Sequence, residues 1–135
     1  MTSAELFQVE KERSNPFTAY NHITVTSVEE DHAVYSLTLR PESLNPYGMI
    51  HGGIFSTMAD NATAAAAHTD GRKYVTIQSV MNFLANQSAG TITAEANVRH
   101  RDEKRALVEV AIYGDNRKML ASGSYTLYCI EQTAN

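Results

Sequence analysis

Cysteine is almost absent from this chain: Cys129 stands alone among 135 residues. No intrachain disulfide and no cysteine-built zinc site can form, so the fold must stand on its own core. Tryptophan is missing, and the three prolines, Pro16, Pro41 and Pro46, all fall in the first third. Positive charge is not in excess, since 11 Lys and Arg face 15 Asp and Glu for a formal net charge of −4. That balance speaks against gripping a nucleic-acid backbone. No apolar run approaches the roughly 20 residues that span a bilayer. Residues 1–15 carry Glu5, Glu10, Lys11, Glu12 and Arg13 where a secretory leader needs an apolar centre. Repeats, low-complexity tails and Pro/Gly/Ser linkers are lacking too. The expectation is one soluble, cytoplasmic domain over 1–135, with no membrane or nucleic-acid partner. It is long enough to bury about two-thirds of its unfolded surface.

What is present reads mostly as strands. A polar stretch from Ser3 to about Ser14 predicts a short helix, ended by Pro16. Ile23, Val25 and Ser27 alternate with threonines, and Ala33, Tyr35, Leu37 and Leu39 alternate with polar positions. Glu29-Glu30-Asp31 between them predicts a hairpin. Val75, Ile77, Ser79, Met81 and Phe83 form one face of a third predicted strand. Ile92, Ala94, Ala96 and Val98 mark a fourth, Ala106, Val108, Val110 and Ile112 a fifth, and 119–130 a sixth. The exception is 50–69, which has no proline and dense alanine at Ala59, Ala62 and Ala64 to Ala67. Ile54, Met58, Ala62, Ala65 and Ala66 recur at helical spacing, and Thr69-Asp70-Gly71 supplies the stop. A helix, two strands, one long helix and four strands make an α+β pattern. Alanine favours helix in any setting, but its clustering in this one element points to a thin face that lets a sheet approach closely.

The most unusual run is Asn45-Pro46-Tyr47-Gly48-Met49-Ile50-His51-Gly52-Gly53, which leads straight into the long helix. Glycine is a poor helix former, yet Gly52 and Gly53 sit where the helix begins. There the first N–H groups lack partners and the dipole end is positive, which suits an anion or a developing oxyanion. Tight packing alone would equally explain the glycines. Asp60 lies among Met58, Ala59, Ala62 and Ala64. A carboxylate in an apolar surround is costly and suits a general base, whereas a solvated stripe through Asp60 and Asn61 would need no chemistry. His51 and Asp60 are nine positions apart, or roughly 13 Å along a helix. One small reacting group cannot touch both, so a shared site would draw them from two chains related by a two-fold axis.

The set Asn45, Gly48, His51, Gly52, Gly53 and Asp60, with its strand pattern from about Pro16 to Tyr128, resembles hotdog-fold acyl-CoA thioesterases of the PaaI-like branch. The resemblance implies a curved antiparallel sheet wrapped around one central helix. It also implies homodimers, often paired into tetramers, with sites at the dimer interface. It assigns Asp60 to activate water or attack the thioester carbonyl, and the Gly52 N–H to polarise the carbonyl oxygen. His51 and Asn45 would orient the thioester and shape the loop, and Thr76 would position the water or the aspartate. Leu84-Ala85-Asn86-Gln87 stands where many relatives carry a proline, a departure that affects the loop more than the chemistry.

The expected activity is hydrolysis of an acyl-CoA to a carboxylic acid and coenzyme A, without metal or added cofactor. A non-catalytic acyl-CoA or acyl-carrier binding module on the same fold is the alternative. Gly53, Tyr47, Met81 and Phe83 are candidate substrate contacts, and Tyr47, Met81 and Phe83 are equally plausible as core. Arg99, His100, Arg101, Lys104 and Arg105 cluster around one turn. Arg99 and Arg101 are candidate partners for the coenzyme A phosphates, although a solvated hairpin tip explains such a cluster as well. His22, His32, His51, His68 and His100 have no metal-ligand spacing, and no Gly-x-Ser-x-Gly elbow occurs. Cys129, in an end strand, reads as a small buried hydrophobe.

Overall fold

A computed structural model describes residues 1–13 and 15–131. Helix α1 (Ser3–Glu12) is capped by Thr2, whose hydroxyl accepts from Glu5 N. The expected end at Ser14 lies outside the described residues. Pro16 does more than stop a helix, because it starts another, α2 (Pro16–Tyr20). The Asn15 side chain caps α2 by accepting from Thr18 N at 3.1 Å. Proline fits the first helical position, where its missing N–H is no loss.

Strands β1 (Thr24–Glu29) and β2 (His32–Thr38) form the expected hairpin, and α3 (Gly52–His68) is the long helix. Then come β3 (Lys73–Phe83), β4 (Thr91–Arg101), β5 (Arg105–Tyr113) and β6 (Met119–Glu131). The strands make one antiparallel sheet in the order β1-β2-β4-β5-β6-β3. All six touch α3, which runs across the inner face. Ala59, Ala62, Ala65, Ala66 and Ala67 are buried there, beside Phe55 and Met58. The alanines do hold a thin face against the sheet. The inward sets of β2, β4 and β5 match the alternation read from the sequence, with Ala33, Tyr35, Leu37, Ile92, Ala94, Ala96, Ala106, Val108, Val110 and Ile112 all buried.

Register shifts break the strict alternation of several strands, and two of them bear on the readings above. In β1 the shift lies between Val25 and Ser27, so Val28, not Ser27, turns to the core. In β3 one shift lies between Lys73 and Tyr74 and a second between Thr76 and Gln78, with Ile77 as the extra residue of the second. Val75 and Ile77 therefore do not share the face of Ser79, Met81 and Phe83; they lie 46% and 53% exposed. An extra residue resets which side every later side chain takes.

The two sheet edges differ. The short β1 edge lies against α1. The edge of β3 is long, open and apolar, with Val75, Ile77, Val80 and Phe83 exposed along it. An open edge of that kind is a template for another strand. No helix among the described residues is long and apolar enough to cross a membrane.

Candidate active site

The loop before α3 is built by two asparagines acting as surrogate backbone. Asn45 Oδ1 accepts from Tyr47 N at 2.9 Å and Met49 N at 3.1 Å, while Asn45 N donates to Met49 O at 2.7 Å. Gly48 makes the turn possible with φ +77°, a region that side chains rarely enter. Asn86, in the segment after β3, holds the next stretch. Its Oδ1 accepts from Ile50 N at 2.8 Å and its Nδ2 donates to Ile50 O at 3.3 Å. The two contacts replace a strand pair, and so fix the entry to α3.

His51 caps α3. Its Nδ1 accepts from Gly53 N at 2.9 Å, which leaves Nε2 to carry the ring's donor hydrogen. A Cβ on Gly53 would meet His51 Nδ1 at 3.0 Å, so a larger residue there would press on the capping ring. The Gly52 N–H, first in the helix, has no acceptor among the described residues. Beside it stands Phe83, whose ring would touch a Cβ on Gly52 at 3.4 Å and which stacks on Phe55 with centroids 5.4 Å apart. His51, Gly52, Gly53 and Phe83 thus gather in one place, with a free donor at the positive end of a helix. Asn45 shapes the loop alongside them with its Oδ1 committed, and Tyr47 projects outward, 83% exposed. Met81 is half-buried and packs over Gly123.

The second gathering lies two turns along α3. Thr76 Oγ1 donates to Asp60 Oδ1 at 2.6 Å, a short charge-assisted contact that leaves Oδ2 without a hydrogen-bond partner among the described residues. Asp60 is exposed on the single chain rather than wrapped in alanines: residues 59 and 62 turn to the sheet, and 60 turns away. A cleft of about 380 Å³ opens over it, walled by Ser56, Thr57, Ser79 and Tyr125. The β3 bulge is what gives Thr76 and Ser79 to the same cleft. Tyr125 donates to Ser56 O at 3.1 Å, and its hydroxyl is pushed up to about 12 by burial and then by the Asp60 charge. Ser79 and Tyr125 were not visible as site residues in the sequence, because only the strand register brings them to Asp60. Asn86 lies in the Leu84-Ala85-Asn86-Gln87 run singled out in the sequence, but its bond to Ile50 spans 36 residues and no local pattern records it.

One chain therefore holds two separate gatherings of polar groups along α3. The Gly52 N–H and Asp60 are eight positions apart on one helix, roughly 12 Å along its axis. The basic cluster divides as well. Arg99 sits at a register shift in β4 and pairs with Glu109 on the outer face at 2.9 Å. Arg101 turns inward and is spent within the chain. It bonds Asp31 and Asp70 at 2.8 Å each, Ala66 O at 3.1 Å and the Tyr74 hydroxyl at 3.1 Å. It is a clamp between α3, β4 and the β1–β2 turn, and its expected role as a phosphate contact is not what this geometry provides. Among the described residues, no three His, Cys, Asp or Glu side chains gather as a metal-binding group.

Comparison with known proteins places these features in context. Residues 47–121, which include the loop, α3 and most of the sheet, match the thioesterase superfamily. The chain is 32% identical over 100 residues to the acyl-coenzyme A thioesterase PaaI of Escherichia coli (strain K12), covering 73% of this chain and 71% of that one. It is 29% identical over 108 residues to a 1,4-dihydroxy-2-naphthoyl-CoA hydrolase of Listeria monocytogenes, covering 78% and 88%. The solved structure of the E. coli PaaI protein from the phenylacetic acid degradation operon superposes over the whole of both chains, with a TM-score of 0.91 at 26% identity.

Proposed function

The chain belongs to the thioesterase superfamily and has its hotdog fold, and on that footing we propose that it is an acyl-CoA thioesterase working at a site shared by two copies. The observation that carries this reading is the Asp60–Thr76 contact of 2.6 Å, set two helical turns from a free Gly52 N–H. A carboxylate fixed by one oxygen, with the other open to a cleft, suits a general base. An unpaired amide at a helix start suits a carbonyl oxygen that gains charge. In a two-fold dimer joined through the open β3 edge, antiparallel α3 helices bring one copy's Gly52 to the other's Asp60, twice. The apolar side chains exposed along β3 support that junction.

In the step that follows, Asp60 Oδ2 takes a proton from water as the water oxygen attacks the thioester carbonyl. The partner's Gly52 N–H carries the charge on the carbonyl oxygen. Collapse breaks the carbon–sulfur bond, and the proton passes from Asp60 to the leaving coenzyme A sulfur. The products are a carboxylic acid and free thiol. A base supplies about 10²- to 10⁴-fold and one oxyanion donor about 10²- to 10³-fold. Thiol release from acyl-CoAs tests the reading. Asp60→Ala is expected to lower kcat at least 100-fold while the protein stays folded, and retained activity would rule out this mechanism.

A further inference from the structure

Tyr125 is buried to 2% exposure, yet it reaches the wall of the Asp60 cleft and donates its hydroxyl hydrogen to Ser56 O at 3.1 Å. Ser56 stands one turn before Asp60 on the same side of α3. Ser79 is the register partner of Tyr125 across β3 and β6, so the two side chains share one side of the sheet. The Ser79 hydroxyl faces the Tyr125 oxygen as a hydrogen-bond donor. Other hydroxyls of the cleft are committed elsewhere. Thr76 donates to Asp60, Thr57 to Gly53 O at 2.7 Å and Thr18 to Asn61 at 2.9 Å. The direction of the Ser79 contact follows from its neighbour. Tyr125 spends its single hydrogen on Ser56 O, so its oxygen is left to accept. Burial and the Asp60 charge push that hydroxyl up to about 12, and it keeps its hydrogen across neutral pH. Ser79 therefore gives its own hydrogen to Tyr125 and turns its lone pairs to the cleft that Asp60 also faces.

We infer that Tyr125 is a positioning residue for hydrolysis, acting through Ser79 to orient the water that Asp60 activates. The inference rests on the thioesterase reading of Asp60. One hydrogen of the water goes to Asp60 Oδ2, and Ser79 Oγ accepts the other. With both hydrogens held, a lone pair of the water oxygen is left for the thioester carbonyl. As that oxygen attacks, Asp60 takes the first hydrogen as a proton. The second stays on the oxygen and ends on the carboxylic acid, so Ser79 neither gains nor loses a proton. Asp60 alone would let the water swing about a single contact, whereas two contacts fix its line of attack. Ser79 touches the reacting water and is a catalytic residue in that sense; Tyr125 sets which way Ser79 points.

The test measures thiol release from acetyl-, octanoyl- and phenylacetyl-CoA, using the ester that the wild type turns over fastest, with thermal melts alongside. Ser79→Ala is expected to lower kcat about tenfold while KM stays within threefold. Ser79→Thr keeps a hydroxyl on a strand that favours β-branched residues, and should stand at least threefold above Ser79→Ala. Tyr125→Phe is expected to lower kcat threefold or more. The double variant should lie within twofold of Ser79→Ala, because Tyr125 has no route to the water once the serine hydroxyl is gone. Losses that multiply in the double variant would overturn the inference. So would a Ser79→Ala kcat within threefold of the wild type, which leaves the thioesterase reading standing. A wild type that releases no thiol would overturn both. Should Tyr125→Phe fail to fold, Ser79→Ala and Ser79→Thr decide by the same criteria.

Discussion

At the scale of single residues, the candidate site is built by side chains that hold other groups still. Thr76 holds Asp60 by one oxygen, Asn45 holds the loop, Asn86 holds Ile50, and His51 holds Gly53. In the last three cases a polar side chain replaces a backbone contact that the loop or the helix end cannot make. Of these, Thr76 is the one that bears on the reacting group. A hydrogen bond to a charged group is worth about 1.5–3 kcal/mol, or roughly 10- to 150-fold. Thr76→Val keeps the shape and removes the donor. It should lower kcat by that order while KM moves less than about threefold, measured as thiol release. An equal rise in KM with kcat unchanged would mean that Thr76 holds substrate and not the aspartate.

At the scale of elements, close approach is the recurring device. The alanine face lets α3 lie on the sheet, and Gly123 lets β6 lie against β3. A Cβ at Gly123 would stand 2.0 Å from Val80 O and 2.7 Å from Met81 Sδ. A backbone carbonyl cannot yield as a side chain can. Gly123→Ala should therefore pry β3 from β6, lower Tm by several degrees and reduce activity with it, since Thr76 and Ser79 ride on β3. A second junction joins α3, β4 and the β1–β2 turn through Arg101 and Asp70. Burial pushes the Asp70 carboxyl up, but bonds from Tyr74 and Arg72 and the Arg101 charge together hold it below the ordinary carboxylate range. Its contribution to stability is thus complete above the unfolded value of about 4 and is lost as pH falls through the lower folded value. Asp70→Asn should lower Tm at neutral pH, and thermal melts should show the gap to wild type closing on acidification. A gap that stays constant to low pH would assign the loss to packing.

At the scale of the whole molecule, the open β3 edge and the divided site call for the same remedy, a second copy. Mixed dimers give a direct test. Gly52→Pro removes the N–H at the first helical position, where proline is tolerated and the His51 backbone, at φ −64° and ψ 134°, already suits a following proline. Neither Asp60→Ala nor Gly52→Pro alone should be active. Mixed, they form dimers in which one site has both an intact Asp60 and an intact Gly52 N–H. About half of the wild-type activity per mixed dimer is expected, and no recovery on mixing would confine the site to one chain.

Apart from α2, the order of elements, the length of α3, the small face of that helix and the loop that precedes it could all be read from the chain before any coordinates. Helical spacing, strand alternation and stop residues are local properties, and they survive folding unchanged. The inner faces of β2, β4 and β5 were legible for the same reason. The faces of β1 and β3 were not, because a single extra residue at Thr26 or Ile77 costs little locally and reverses every side chain beyond it. That reversal is what delivers Thr76 and Ser79 together to Asp60, and Arg99 and Arg101 are parted by a shift of the same kind. The sequence by itself determined which residues are available for chemistry and that Asp60 and the glycines lie too far apart to meet. Only the tertiary structure decided which side chains surround the carboxylate and that Arg101 is spent on the fold. Those depend on contacts between residues tens of positions apart, which no local pattern records.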